Sequence, residues 1–486
     1  MLPTENIREL RPVRQRARRF LPSAVLLLLA GCTVGPNYQA PNLAAPAAFK
    51  NAASERPSVA LPAPEQWWTV FADPGLDTIE RDALAHNQTI AQADANLRAA
   101  RAQLGVARAD RQPSLSLAET NQFAGESAKQ SAPGGGRTVS YRTSGDSYNV
   151  PLNASYELDL WGRVRREVES ASASLQASEA DLRGAALSLT ATVAQTYFQW
   201  RTVVTQLDIA TRTVASRRAS LAVLTSRNNA GLIDTLDVAS AREQLALAEA
   251  TVADFERQRH EFEDGLALLT GRAPADFALA APTDPSLALP PPPMIPAGLP
   301  ADLLRRRPDV VSAERTLAAQ TAQIGVSVAA KFPTIRLTGE GGFNSQDLHT
   351  LVSRAAGLWS LGSSINLPIL DGGRNDANIA AARAHADAAL AAYRQQVLTG
   401  FREVEDALVD LRWQAEQASA QERAVAAAKD TAELTRLRYG KGLVNYLDVA
   451  NAERDLFGTQ TSAVQLAGAR CSSAVALIRA MGGGWN

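Results

Sequence analysis

From Gly162 to about Asn228, apolar residues return at every seventh position. Leu175, Leu182, Leu189, Thr196 and Val203 share one heptad position; Ala186, Val193, Trp200, Leu207, Val214 and Leu221 share another, four residues on. A sustained heptad predicts a long helix of coiled-coil type. Val397, Val404, Leu411, Ala418, Val425 and Ala432 repeat the pattern later in the chain. No Pro occurs from Gly162 to Ala273, nor after Pro368. At the usual Pro content of about 5%, gaps of this length are rare by chance. Pro is excluded where a continuous helix needs every N–H. At 1.5 Å per residue, the first helix would reach roughly 100 Å.

Ahead of each helical run the period changes to two. Tyr148, Val150, Leu152, Ala154, Tyr156, Leu158 and Leu160 alternate with Asn149, Pro151, Asn153, Ser155, Glu157 and Asp159. Trp359, Leu361, Ile365, Leu367 and Ile369 alternate likewise with Ser360, Gly362, Ser364, Asn366 and Pro368. The partner segments Ser114 to Phe123 and Thr334 to Phe343 alternate less cleanly. Strands of about ten residues with one apolar face fit a transmembrane β-strand, and equally a soluble sheet with one wet face. Four strands cannot close a barrel, since about eight are needed. A membrane-spanning reading therefore requires several chains to share one.

The two stretches are copies. Gly162-Arg163 matches Gly373-Arg374, and Gly231 to Val238 matches Gly442 to Val449, at a separation of 211 residues. Gln103 to Val106 matches Gln323 to Val326 at a separation of 220, so the first copy carries extra residues after Pro113. The Gly- and Ser-rich stretch Ser131 to Ser147 is the expected place for them, as an exposed loop. Each copy reads as a helix, two strands, a very long helix, a tight turn and a shorter helix. The expected organisation is a signal at 1–31, an anchor and belt segment at 32–75, a first repeat at 76–273, a Pro-rich linker at 274–308 and a second repeat at 309–486.

Residues 1–31 hold six Arg and two Glu, so their removal takes the formal net charge from −1 to −5. That balance gives no argument for nucleic acid as a partner. An Arg-rich start, the apolar run Phe20 to Ala30 and the closing Leu29-Ala30-Gly31-Cys32 form an export signal too short to span a membrane. The close looks like a lipobox, which implies a covalent lipid on Cys32, N-acyl and S-diacylglycerol. Thr33 follows rather than Asp, so the inner-membrane retention signal is missing. Cys471 then remains as a free thiol with no disulfide partner.

No catalytic constellation is legible, and the chain reads as a non-enzyme without a cofactor. His86, His260, His349 and His385 lack metal-ligand spacing, and Gly134-Gly135-Gly136 lacks the Lys-Ser/Thr of a phosphate loop. Glu403, Glu405 and Asp406 lie on a charge-rich helix and read as a solvated or lumen-facing surface.

Several ordered motifs resemble one family. They are Trp67-Trp68 with Phe71 and Asp73-Pro74; Glu157-Leu158-Asp159-Leu160-Trp161-Gly162-Arg163; Arg306-Arg307-Pro308-Asp309-Val310 with Ala313-Glu314; Phe332-Pro333; and Leu370-Asp371-Gly372-Gly373-Arg374. In this order, on a duplicated chain with a lipobox, they resemble the outer-membrane factors of tripartite efflux and type I secretion systems, the TolC/OprM-like family with its NodT-type lipoproteins. The resemblance implies an α+β membrane protein: a TolC-like duplicated unit giving four transmembrane β-strands per chain to a shared trimeric β-barrel, plus a long periplasmic α-helical coiled-coil tunnel. It implies a homotrimer in outer-membrane lipid, extending into the periplasm, with a periplasmic adaptor (membrane fusion) protein and an inner-membrane pump of RND or similar type as partners. The expected function is the passive exit duct of a tripartite efflux system. Protein or peptide export by a type I system, and a periplasmic coiled-coil scaffold that never inserts, stand as alternatives.

The resemblance also marks the helix turns. Gly231, Leu232, Gly442 and Leu443 would form the tips where adaptor hairpins dock. Asp448 is similar to a constriction-ring aspartate, Asp237 to a gate-tether aspartate and Tyr439 to a gate tyrosine. The second ring aspartate is Asn451 here, and the family's gate Arg is Val444, leaving Arg438 or Lys441 as substitutes. The plainer reading of both aspartates is a carboxylate favoured at a helix N-terminus by about 0.3–1 kcal/mol.

Overall fold

The computed structural model describes residues 33–51, 64–131, 138–279, 289–295 and 300–483. Cys32 and the signal stretch lie outside them. After a 3-10 turn at Pro64–Phe71, the chain runs α1 (Pro74–His86), α2 (Gln88–Ala109), β1 (Ser114–Leu117), β2 (Thr120–Ser131), β3 (Thr138–Leu158), α3 (Arg163–Asn229) and α4 (Thr235–Leu269). Next come α5 (Pro300–Arg306), α6 (Pro308–Ala329), β4 (Thr334–Ser345), β5 (Gly357–Asn366), α7 (Arg374–Gly440) and α8 (Tyr446–Ala480). The duplication is visible in lengths: α3 and α7 have 67 residues each, α4 and α8 have 35, and α2 and α6 have 22.

Two compact units result, each drawing chain from both copies. The unit of residues 99–175 and 315–390, with the N-terminal stretch to residue 40, carries the sheet. Its order is β1-β3-β4-β5, with β2 also on β3, all antiparallel. β1 and β2 occupy the same edge of β3, opposite Leu152–Ser155 and Thr138–Asn149 respectively, with Ala118 and Glu119 between them. The sheet thus has five strand segments where four strands are expected, the first strand being divided.

A second correction concerns Ser131 to Ser147: β3 begins at Thr138, and its ladder with β2 includes Ser131↔Thr138 and Ser140↔Lys129. Antiparallel pairing uses backbone groups, so a Gly- and Ser-rich stretch can pair without the side-chain alternation that marks a half-buried strand.

The registers sort the sheet into two faces. Leu115 opposes Ala154, Leu117 opposes Leu152, Tyr156 opposes Leu337, Ile335 opposes Ile365, and Gly339 and Gly341 oppose Leu361 and Trp359. All these apolar groups share one face. Ser155, Asn153, Arg336, Thr338, Glu340, Ser364 and Ser360 share the other. The apolar face is uncovered: Trp359 is 80% exposed, Leu361 82% and Ile365 70%.

The motif Glu157 to Arg163 is the corner between β3 and α3. Gly162 turns the chain at φ 81°. Asp159 accepts from the N–H groups of Val164 and Arg165 at 3.2 and 2.9 Å, capping α3, while Arg163 forks onto Glu157 at 2.8 and 3.1 Å. Trp161 donates to the Pro333 carbonyl at 2.9 Å and stacks on Phe332 at 4.8 Å, which joins two more of the motifs.

The other unit buries Trp67, Trp68, Phe71, Leu76, Phe198, Leu266 and Ile478 in one core. Asp73 caps α1 through the N–H groups of Gly75 and Leu76, and also accepts from Tyr197 at 2.9 Å and Arg201 at 2.8 Å. Arg307 is buried beneath the start of α6 and donates to Asp309, to Glu403 at 2.7 Å and to the Ala480 carbonyl at 3.0 Å. Glu405 accepts from the backbone N–H groups of Lys50 and Asn51. Glu403 and Glu405 are therefore not a solvated face; each compensates groups delivered from distant segments. Only Asp406 of the three is exposed, at 71%.

Candidate functional site

The two helix turns have one design. Gly231 and Gly442 take φ of 72° and 73°, where a side chain would be strained. The N–H groups of Leu232 and Leu443 donate back to the carbonyls of Arg227 and Arg438 at 2.9 and 3.0 Å, so four apolar and glycine positions are held outward in matching turns. Leu232 and Leu443 are both exposed. Asp234 caps α4 by accepting from the Leu236 N–H at 3.2 Å, and this bond holds its carboxyl below the usual range. Asn445 caps α8 in a capping box with Asp448: Asn445 Oδ1 accepts from the Asp448 N–H at 2.9 Å, and Asp448 Oδ2 accepts from the Asn445 N–H at 3.2 Å.

Above the turns all four helix ends share a small core of Leu224, Val238, Ala241, Tyr446, Val449 and Ala450, with Tyr439 packed against it. Val238 and Val449 are equivalent positions of the two copies. Tyr439 meets Tyr446 edge-on at 6.0 Å, and the Arg227 guanidinium lies 5.9 Å from the Tyr439 ring. The Tyr439 hydroxyl is buried without a hydrogen-bond partner among the described residues. Arg436 on α7 donates to buried Glu453 on α8 at 2.7 Å. Arg217 on α3 is buried and donates to the Gln244 carbonyl on α4. Burial lowers the Arg217 pKa, with Glu453 acting against it. Burial, then Glu453, raises Tyr446, and Asp237 adds to that shift.

The expected residues therefore divide. Tyr439 is brought into the shared core. Asp237 is half-buried beside it, whereas Asp448 is exposed and serves as a cap. Asn451 is half-buried on α8. Arg438 and Lys441 are exposed and reach no carboxylate among the described residues. Arg217, Arg227, Arg436 and Glu453 are additional. Two of them had a signal: Arg227 is the repeat equivalent of Arg438, and Arg217 continues the apolar heptad position of Leu189, Thr196 and Val203.

The arrangement offers reversible polar ties between helices. The family model for outer membrane efflux proteins matches residues 80–272 and 299–483, one stretch for each copy. The chain belongs to the outer membrane efflux protein family. This efflux protein is 34% identical to the outer membrane protein OprJ of Pseudomonas aeruginosa over 477 residues, 97% of each chain. It is 31% identical to the cation efflux system protein CusC of Escherichia coli, over 96% of this chain and 99% of that one. The solved outer-membrane channel OprN superposes with a TM-score of 0.84 at 33% identity, covering 93% of this chain and all of that one. The efflux protein is thus an outer-membrane exit duct with a TolC-like fold.

Proposed function

We propose that three copies of this chain close one β-barrel in the outer membrane and pair their long helices into a periplasmic tunnel. The observation that carries this is the sheet: one face is mainly apolar and uncovered, and its outer β1/β2 and β5 edges have no partner among the described residues. An open apolar sheet is a liability in water. Three copies of a four-position ladder exceed the roughly eight strands that closure needs, and closure in lipid satisfies both edges and face. A lipid on Cys32 tethers the chain to the same membrane. The duct is passive, fed by a periplasmic adaptor and an inner-membrane pump of RND or similar type. OprJ-like and cation-exporting relatives share this duct, so substrate identity rests with the pump.

The tips form the gate. Gly231, Leu232, Gly442 and Leu443 present the adaptor-docking turns. Asp237, Asp448 and Asn451 narrow the tunnel end, Tyr439 latches it, and Arg438 and Lys441 stand where an open state or a neighbouring copy can reach them. Exposed ion pairs are worth about 0–1 kcal/mol each, so an adaptor with differential contacts can shift the gate. Single-channel conductance in planar bilayers tests the reading. Small, cation-selective steps that lose selectivity in Asp448→Ala are expected. A conducting channel indifferent to that change removes Asp448 from the gate, and no conductance from folded, lipidated protein removes the duct's barrel.

A further inference from the structure

The N-terminal segment crosses the first turn of α3 in the unit that carries the sheet. The Val34 N–H donates to the Trp161 carbonyl at 3.0 Å. Arg166, buried in that turn, donates through Nε to the Val34 carbonyl at 3.2 Å. Its Nη2 donates to the Gly35 carbonyl at 3.3 Å and to Asn37 Oδ1 at 2.7 Å, and its Nη1 to Glu169 at 2.7 Å. The approach is too close for side chains. A Cβ on Gly35 would lie 2.5 Å from the Gly325 Cα on α6, one on Gly325 2.8 Å from the Arg166 side chain, and one on Gly162 2.6 Å from Thr33. Tyr38, next along the segment, packs on Ala173 of α3 and on Ala318 and Ala319 of α6.

This cleft belongs to one copy of the repeat. The equivalents of Gly162, Gly325 and Arg166 in the other copy are Gly373, Gly105 and Ala377. A Cβ on Gly373 or Gly105 meets nothing within 4 Å. A guanidinium thus stands where the segment crosses, and a methyl group stands at the matching open position. We propose that residues 33–37 form a docked strap, and that Arg166 is the positioning residue that uses it to fix the site of lipid attachment at the β3–α3 corner. This role rests on the reading of Cys32 as lipid-bearing. Consecutive Cα atoms are about 3.8 Å apart, so a docked Thr33 leaves the preceding residue no slack, whereas freeing five residues adds up to roughly 17 Å of tether. A longer tether lowers the effective concentration of the sheet at the bilayer.

The test follows strap and anchor separately in the full-length chain. A spin label on Pro36→Cys reports strap motion, since Pro36 is exposed and Cys471 is buried. In Arg166→Met and Gly35→Ala the label is expected to change from slow to fast motion, with Cys32 acylation unchanged by mass spectrometry. In pulse–chase, heat-resistant trimer is expected to reach the outer membrane at least about threefold more slowly in both. Gly35→Ala alters an exposed strap residue and keeps Arg166, so it answers for any folding defect of Arg166→Met. Inserting Ser-Gly-Ser-Gly-Ser between Cys32 and Thr33 separates anchorage from packing: the label is expected to stay slow while trimer arrival slows as much. Arrival at the wild-type rate in that linker variant overturns the positioning role and leaves the strap as packing. A label that stays slow in both point variants overturns the docking. A wild-type chain without acyl groups on Cys32 overturns the lipid reading and the anchoring role together, and leaves the strap's own docking to the label.

Discussion

Glu80 occupies a place that sequence gives no reason to single out. It lies on α1 between core residues Ile79 and Ala83, is fully buried, and neither carboxylate oxygen has a hydrogen-bond partner among the described residues. Burial, helped by Asp77, pushes its pKa up to about 9. The folded chain keeps a proton that the unfolded chain has lost, so the contribution of Glu80 to stability is greatest below about 4.5 and declines as pH rises towards about 9. At pH 7 the cost is about 3 kcal/mol. Glu80→Gln removes it, so thermal unfolding of this variant is expected to lose most of the wild-type pH slope and to exceed wild type at pH 8. An unchanged slope would show that Glu80 ionises in place. Residue-scale chemistry was partly legible for a physical reason. Motifs that close corners, such as Asp159 and Asp73, pair with near neighbours or with groups of fixed spacing. Arg307 with Glu403, or Arg436 with Glu453, depends on helix crossings that spacing along one chain does not encode.

At the scale of elements, the long helices were the most readable parts. Their heptads and Pro-free runs predicted two long rods; α3 follows its expected span to within a residue or two, and α7 has the same length. The strands were readable only where one face is apolar, which is why β2 was expected only as far as Phe123 and the first part of β3 fell in the expected loop Ser131 to Ser147. Packing inside the sheet was not legible at all. Gly341 and Gly342 are adjacent and look interchangeable, yet a Cβ at Gly341 meets nothing within 4 Å, while one at Gly342 would lie 2.2 Å from the Val150 carbonyl oxygen. Gly342 opposes Pro151, where β3 and β4 approach closely. Gly341→Ala is expected to reach the outer-membrane fraction at wild-type yield. Gly342→Ala must spread the two strands and is expected to lose most of that yield, with proteolysis appearing within β3–β4. Equal yields of the two variants would mean that the ladder yields locally instead.

At the scale of the whole molecule, the decisive property is the difference between the two sheet faces. Trp359 and Ser360 are neighbours on β5, both exposed in the single chain, and differ only in the face they join. In a soluble sheet the apolar face would need a protein cover, whereas in a shared barrel it faces lipid. An Arg on the lipid face costs about 2–4 kcal/mol at the bilayer midplane and much less at the interfaces. In the proposed trimer three copies would carry the change together, multiplying the penalty. Trp359→Arg and Leu361→Arg are therefore expected to leave helical content in detergent intact while depleting heat-resistant trimer from the outer membrane. In the proposed barrel Ser360→Arg would point the same charge into the interior; it is expected to insert normally and to reduce cation conductance. If Ser360→Arg blocked insertion and Trp359→Arg did not, the polar face would be the one against lipid and the barrel would be inside out. If neither mattered, the sheet would not cross the membrane, and the apolar face would have to be covered by protein.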